Sequence, residues 1–239
     1  MTNIKLVILV IIIVGIIYYY YNKKPILVSK CWINTKLFPE AKHIFDNRKI
    51  IKNELNNILD SNLWAQWLSD YKEAPSFTKM THDEIANRVM ESSGKINSAK
   101  DGSWRLYPLI LNQEILNHSA DHCPETMQIL SKYKKRILNA GFSLLEPNSS
   151  TKPHVDYNNK FYRLHIPMLI PKNNQKLNNI ILDKSCIDKK LAVFQVEDEY
   201  RAWSYDDYFI FDDLCLHNAW NWTDENRIVL LVDLLKIEL

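Results

Sequence analysis

Past Gly141 the sequence breaks into short apolar runs at 142–146, 161–170, 191–196, 207–211 and 227–235. Turn-rich stretches at 147–153, 172–179 and 221–226 part them. Runs of this length suit strands rather than helices. A strand exposing one apolar face must bury it against another layer, and many short strands in succession do so as a sandwich or barrel of the jelly-roll kind. The expected class is therefore mainly β with flanking helices.

Helical spacing dominates upstream. Residues 41–72 place Ile51, Leu55, Ile58 and Leu59 on one face, with Asp46 or Asn47 as a candidate cap. Trp64, Trp67 and Tyr71 continue the same spacing and read as core packing. Residues 73–100 are polar and irregular, with a short helix at 82–91. A second helix is expected over 124–138, with Pro124 in its first turn, Glu125 at its positive end and Gly141 as its stop.

The amino terminus carries an unbroken apolar run at 6–17, then four tyrosines and Lys23-Lys24. Small residues suited to signal cleavage are lacking where the tyrosines stand. The favoured reading is a retained single-pass anchor over 1–24, ahead of a signal peptide or a buried helix. The charge bias around it is one residue, which leaves the side of the membrane open. Residues 25–122 then form a helical and irregular lead-in, and 123–239 the β core.

Composition removes several functions. With four glycines, the closest pair eight apart, neither a phosphate loop nor a dinucleotide turn can be built. A net charge of +2 gives no footprint for nucleic acid. Cys31, Cys123, Cys186 and Cys215 lack zinc-site spacing and read as small buried residues, with nothing pointing to a disulfide framework.

The chemistry-bearing residues cluster in the β half. His154 and Asp156 form an H-x-D, and alternate residues of an extended segment share a face. His217, after a strand-like run and the Asp212-Asp213 turn, is the candidate second imidazole. Two histidines and one carboxylate on one face leave open positions and suit non-haem Fe(II). Arg163 and His165 share a face of the 161–170 strand, and Arg227 opens the last one. Charges on mostly buried strands need partners. A dicarboxylate would supply them. Asp212 and Asp213 either orient His217 or simply form the turn. The pair His118 and His122 has helical metal spacing but no third ligand.

Taken together, Ser143-Leu-Leu-Glu-Pro, Pro153-His-Val-Asp, Arg163-Leu-His-Ile-Pro, Phe211-Asp-Asp-Leu-Cys-Leu-His-Asn-Ala-Trp-Asn221 and Arg227-Ile-Val-Leu-Leu-Val-Asp233 resemble the aspartyl/asparaginyl β-hydroxylase family. Cys123-Pro-Glu-Thr and Phe38-Pro also fit, so the resemblance runs over roughly 35–239. It implies a double-stranded β-helix (jelly-roll, cupin-like) that holds Fe(II) and 2-oxoglutarate and uses O2, releasing succinate and carbon dioxide as a C–H bond is hydroxylated. Carried over, His154, Asp156 and His217 become metal ligands, Arg227 grips the far carboxylate of the cosubstrate, and Ser143, Arg163 and His165 line its pocket. The animal peptidyl hydroxylases have glycine where Asp156 stands, whereas bacterial relatives acting on lipid A acyl chains look more like H-x-D. A glycine expected after Trp203 is missing, and 172–190 reads as an insertion over the pocket. The implied activity is a membrane-anchored hydroxylase, favouring a peptidyl Asp or Asn narrowly over a lipid acyl chain. A non-catalytic jelly-roll binder and a cupin-like metal isomerase or hydrolase are the competing readings.

Overall fold

The computed structural model describes residues 31–66 and 104–236, with 62, 152, 157–158 and 178–179 excepted. The apolar run at 6–17, Trp67, Tyr71 and the expected helix at 82–91 lie outside the described residues. Among the described residues no helix is long and apolar enough to cross a membrane.

The strands in chain order are β1 (Trp32–Ile33), β2 (Ala65–Gln66), β3 (Trp104–Leu111), β4 (Glu114–Ile115), β5 (Ile137–Leu145), β6 (Ser149–Ser150), β7 (Phe161–Leu169), β8 (Ile181–Leu182), β9 (Ala192–Val196), β10 (Glu199–Ala202), β11 (Phe209–Phe211), β12 (His217–Asn221) and β13 (Arg227–Leu235). They form an eight-stranded sheet ordered β1-β11-β7-β13-β5-β3-β2, with β4 on β3, and a five-stranded sheet ordered β6-β12-β9-β10-β8. From β5 onward the chain crosses between the sheets: β5 large, β6 small, β7 large, β9 and β10 small, β11 large, β12 small, β13 large. The central order β11-β7-β13-β5 facing β6-β12-β9-β10 is the winding of a double-stranded β-helix.

The large sheet is buried on both faces, which explains the nearly continuous apolar run of β13. Ile228, Leu230, Val232 and Leu234 pack with Leu164, Ile166, Phe142 and Leu144 against the helical layer of Ile44, Ile51, Leu55 and Leu130. The alternate residue Val229 turns to the small sheet with Leu145, Phe194, Phe209, Phe211 and Trp203. The same alternation puts Ser143 of β5, Arg163 and His165 of β7 and Arg227 of β13 on the inner face.

The helices differ from the sequence reading. The span 41–72 is two helices, Pro39–Asp46 and Arg48–Ile58, joined at Asn47. Asn47 does not cap the start of the second helix with its side chain; its Nδ2 instead donates to the His43 carbonyl in the last turn of the first, at 2.8 Å. Ile51, Leu55 and Ile58 are buried as their spacing requires, and Trp64 is buried with its indole donating to the Ile58 carbonyl at 2.9 Å. The helix expected over 124–138 ends at Ser131, because Ile137 already opens β5 between β13 and β3. Its start is held from another helix: Glu54 accepts from the backbone N–H groups of Glu125 and Thr126 at 2.8 and 2.6 Å. Gly141 therefore stops no helix. It lies inside β5, where a Cβ would stand 2.9 Å from the Tyr107 carbonyl oxygen.

The cysteines are a further correction. Cys31 and Cys215 form a disulfide across 184 residues, while Cys123 and Cys186 are buried free thiols. Pairing of β1 with β11 brings the two together, since Trp32 lies opposite Phe211 and the Asp212 N–H donates to the Cys31 carbonyl at 2.8 Å.

Candidate active site

The inner-face residues line one cleft of about 360 Å³, its open mouth included. Ser143, His154, Arg163, His165, His217 and Arg227 all border it, together with Trp104, Phe194 and Phe211. Six polar residues from five separate stretches thus meet in one place.

Two imidazoles stand at one end. His154 and His217 are backbone partners, with N–H···O bonds of 3.0 and 2.9 Å in either direction, and their ring centroids are 4.3 Å apart. His217 is buried, and burial together with neighbouring His154 pushes its pKa down to about 4, so it is neutral at physiological pH. Its Nδ1 lies 2.8 Å from the Cys215 carbonyl. A carbonyl only accepts, so Nδ1 carries the proton and Nε2 keeps its lone pair. Asp156 follows two residues after His154, and its N–H donates to the Asp213 carbonyl at 2.9 Å.

Beside the imidazoles lies a carboxylate cluster, with Asp213 and Asp233 buried and Asp156 partly exposed. Arg163 Nη1 meets Asp156 and Asp213 at 2.9 Å each, and its Nε reaches Asp233 at 2.8 Å. Asn139 adds a bond to Asp233 at 2.8 Å. Burial disfavours the Arg163 charge, but the three carboxylates outweigh it and raise its pKa well above the ordinary value. Burial likewise opposes ionisation of Asp156, yet Arg163 and the neighbouring groups hold its pKa below the usual range. Asp213 is fully buried, and burial with Asp156 and Asp233 nearby raises its pKa well above that range. Ligand atoms of Asp156, Asp213 and His217 all lie within 4.8 Å of one another, close enough to share one cation. Sequence reasoning left Asp213 undecided between orienting His217 and forming the turn; its burial among charges is a tertiary fact.

The other end has the opposite character. Arg227 is buried over the Trp203 ring at 4.5 Å and donates from Nη1 to the Ser143 carbonyl at 3.3 Å. Its Nε has no partner, and burial lowers its pKa. Among the described residues no carboxylate pairs with it. His165 sits beside it among Phe194, Phe209, Phe211 and Trp203, with Nδ1 unpartnered. Burial first, and then Arg227, hold that imidazole neutral. The Ser143 hydroxyl accepts from the Trp104 indole at 2.8 Å.

Several expectations fall away from the cleft. None of the described residues of 172–190 lines it; this stretch packs through Leu177, Leu182 and Cys186 against Tyr200 and Trp220 of the small sheet. His122 is exposed at the end of the helix Asn117–His122, and the side chain of His118 lies outside the described residues.

A family model described as aspartyl/asparaginyl beta-hydroxylase matches residues 46–236. The chain belongs to the aspartyl/asparaginyl β-hydroxylase family. This is a family of enzymes, and both ends of the cleft lie within the matched span. The ornithine lipid ester-linked acyl 2-hydroxylase of Rhizobium tropici is 27% identical over 203 residues, covering 85% of this chain and 59% of that protein. The mouse aspartyl/asparaginyl beta-hydroxylase is 23% identical over 147 residues, covering 60% of this chain and 18% of that protein. The chain thus spans less than two thirds of the length of either relative. Among solved structures, a 2OG-Fe(II) oxygenase family oxidoreductase from Burkholderia pseudomallei aligns over 77% of this chain and 89% of that one, at 9% identity and a TM-score of 0.39.

Proposed function

We propose that this member of the β-hydroxylase family is an Fe(II)/2-oxoglutarate-dependent hydroxylase acting on an apolar C–H bond, with a lipid acyl chain as its substrate class. The observation that carries the activity is the make-up of the cleft: His154 and His217 line it, with Asp156 and Asp213 within reach of His217, and the buried Arg227 lines it with no carboxylate beside it among the described residues. The first set suits a divalent cation and the second a carboxylate. His154, Asp156 and His217 would hold the iron, with Asp213 beside them. Iron and 2-oxoglutarate together supply the oxidising power for the C–H bond. Arg227 would grip the far carboxylate of 2-oxoglutarate, with Ser143 and His165 bordering it. Arg163 has a different task from the one the resemblance implied. Its guanidinium is already occupied by three carboxylates, so it orients Asp156 rather than binding the cosubstrate.

The substrate class draws on the relative that hydroxylates a lipid acyl chain and on exposed apolar side chains next in sequence to the proposed ligands. Val155, Leu214 and Leu216 are exposed at 36%, 44% and 46%. Single exposed leucines are ordinary. These three, however, sit on the two paired segments that carry His154, Asp156 and His217. The apolar run at 6–17 is proposed as the anchor that holds the domain to a membrane. The peptidyl Asp or Asn reading keeps the support of the mouse relative.

The test is an anaerobic titration of the full chain in detergent with Fe(II) and then 2-oxoglutarate, watching the visible charge-transfer band. The band should appear in the wild type and be lost in His217→Ala and weakened in Arg227→Ala. Its absence from a folded wild type would leave the jelly-roll binder as the reading. Mass analysis after aerobic incubation with membrane lipids and with Asp/Asn peptides then assigns the substrate: one added oxygen on peptide alone would overturn the lipid reading.

A further inference from the structure

The five-residue turn between β11 and β12 serves both imidazole and carboxylate. Asp213 points from it into the Arg163 cluster, and the Cys215 carbonyl sets the proton on His217. The turn itself has little packing to hold it, because Leu214 and Leu216 on either side of Cys215 face solvent. Its ties are polar: the Asp212 N–H to the Cys31 carbonyl at 2.8 Å, Lys236 to Asp212 at 3.1 Å, the Asp156 N–H to the Asp213 carbonyl at 2.9 Å, Arg163 to the Asp213 carboxylate at 2.9 Å, the Leu216 N–H to the Glu197 carboxylate at 3.0 Å and the Glu197 N–H to the Leu216 carbonyl at 2.8 Å. At Cys215, the tie across the fold is the covalent one to Cys31, beside the local N–H bond to Asp212 at 3.0 Å.

We infer that the Cys31–Cys215 disulfide is a positioning device for His217, which makes the metal affinity of the site depend on the redox state of this pair. The inference rests on the reading of His217 as a metal ligand. Cys31 is fixed by the pairing of β1 with β11, so the bond pins the turn to the large sheet. A small dithiol would open it by exchange: the protein disulfide gains two electrons and two protons to give two thiols, and the dithiol closes to its cyclic disulfide. Cys215 is half-buried in an exposed turn, so such a reagent can reach it. With the bond open, β1 stays in the sheet and the turn stays tied at Asp212, Asp213 and Leu216, while Cys215 between them loses its covalent tie across the fold. The carbonyl that orients His217 then loses its fixed place. Groups that orient a metal-binding histidine through its second nitrogen govern affinity strongly, roughly tenfold to a hundredfold.

The experiment compares Co(II) binding by the full chain in three forms: oxidised, dithiol-treated and desalted, and Cys31→Ser/Cys215→Ser. The visible Co(II) bands report affinity and coordination, and the melting temperature is recorded beside them. The reduced and double-serine forms are expected to remain folded at the assay temperature and to bind Co(II) about tenfold or more weakly, with altered bands. Reoxidation by a small disulfide should restore the first form's affinity. Cys123→Ser, a thiol outside the pair, should bind as wild type. A purely structural bond would lower the melting temperature and leave the Co(II) affinity within about twofold, which overturns the inference and spares the ligand reading. Failure of every form to bind Co(II) overturns both.

Discussion

Arg163 and Arg227 show how little residue type says about role. Both are arginines on the inner face of the large sheet, Arg163 partly buried and Arg227 fully so, but one meets three carboxylates and the other none among the described residues. Removing Arg163 leaves three carboxylates without their counter-ion. Arg163→Gln is expected to cost about 3–5 kcal/mol of stability, read by denaturant unfolding. Arg227→Ala removes a buried charge that no carboxylate balances among the described residues. It should leave stability nearly unchanged, or raise it, while weakening 2-oxoglutarate binding by at least tenfold in equilibrium titration. The buried imidazoles give a pH dependence of definite sign. His165 and His217 have folded pKa values below the unfolded one, so the unfolded chain takes up protons first as pH falls. The metal-free protein should therefore lose stability below about pH 6.5, by up to about 1.4 kcal/mol per pH unit for each imidazole. Asp213, raised rather than lowered, works the other way above about pH 4 and partly offsets them. His165→Gln should flatten the slope by up to one proton, measured as denaturation midpoints across pH 5 to 7.

At the scale of elements, register decides what each side chain does. β13 reads as one apolar run, yet its pairing with β5 and β7 sends Ile228, Leu230 and Val232 to the helical layer and leaves Arg227 and Asp233 for the inner face. Gly141 marks the tightest point in that stack. Gly141→Ala places a methyl 2.9 Å from the backbone oxygen of Tyr107 and 3.2 Å from Pro108, neither of which can swing away. The expected cost is about 1–3 kcal/mol, visible as a lower unfolding midpoint with the cosubstrate site intact. The same close approach explains the shortened helix after Pro124. Its chain continues straight into a central strand, and ladder pairing on both sides prevails over local helical preference.

For the whole molecule, the disulfide joins two points 184 residues apart, and nearly the whole described fold lies within the loop it closes. On the chain-entropy account such a cross-link stabilises by up to about 5 kcal/mol, so its loss should lower the melting temperature as well as the metal affinity. Much of the molecule was legible in its sequence. The five strand runs, the H-x-D, His217, Arg227 and the family resemblance are local in the chain, because strand length, alternation and motif spacing are written residue by residue. That His154, His217, Ser143, Arg163, His165 and Arg227 would border one cleft followed from the resemblance alone. Other features had no local signal. The cysteine pair depends on β1 adding to the far edge of an eight-stranded sheet, and the stretch 172–190 went to the small sheet because Leu182 and Cys186 found apolar partners there. The distinct surroundings of Arg163 and Arg227 were set by which carboxylates the winding delivered to each. Periodicity and motif spacing are properties of neighbouring residues and survive in a bare sequence. Charge pairing, cross-linking and burial are set by contacts across the chain, and only the closed double-stranded β-helix decides those.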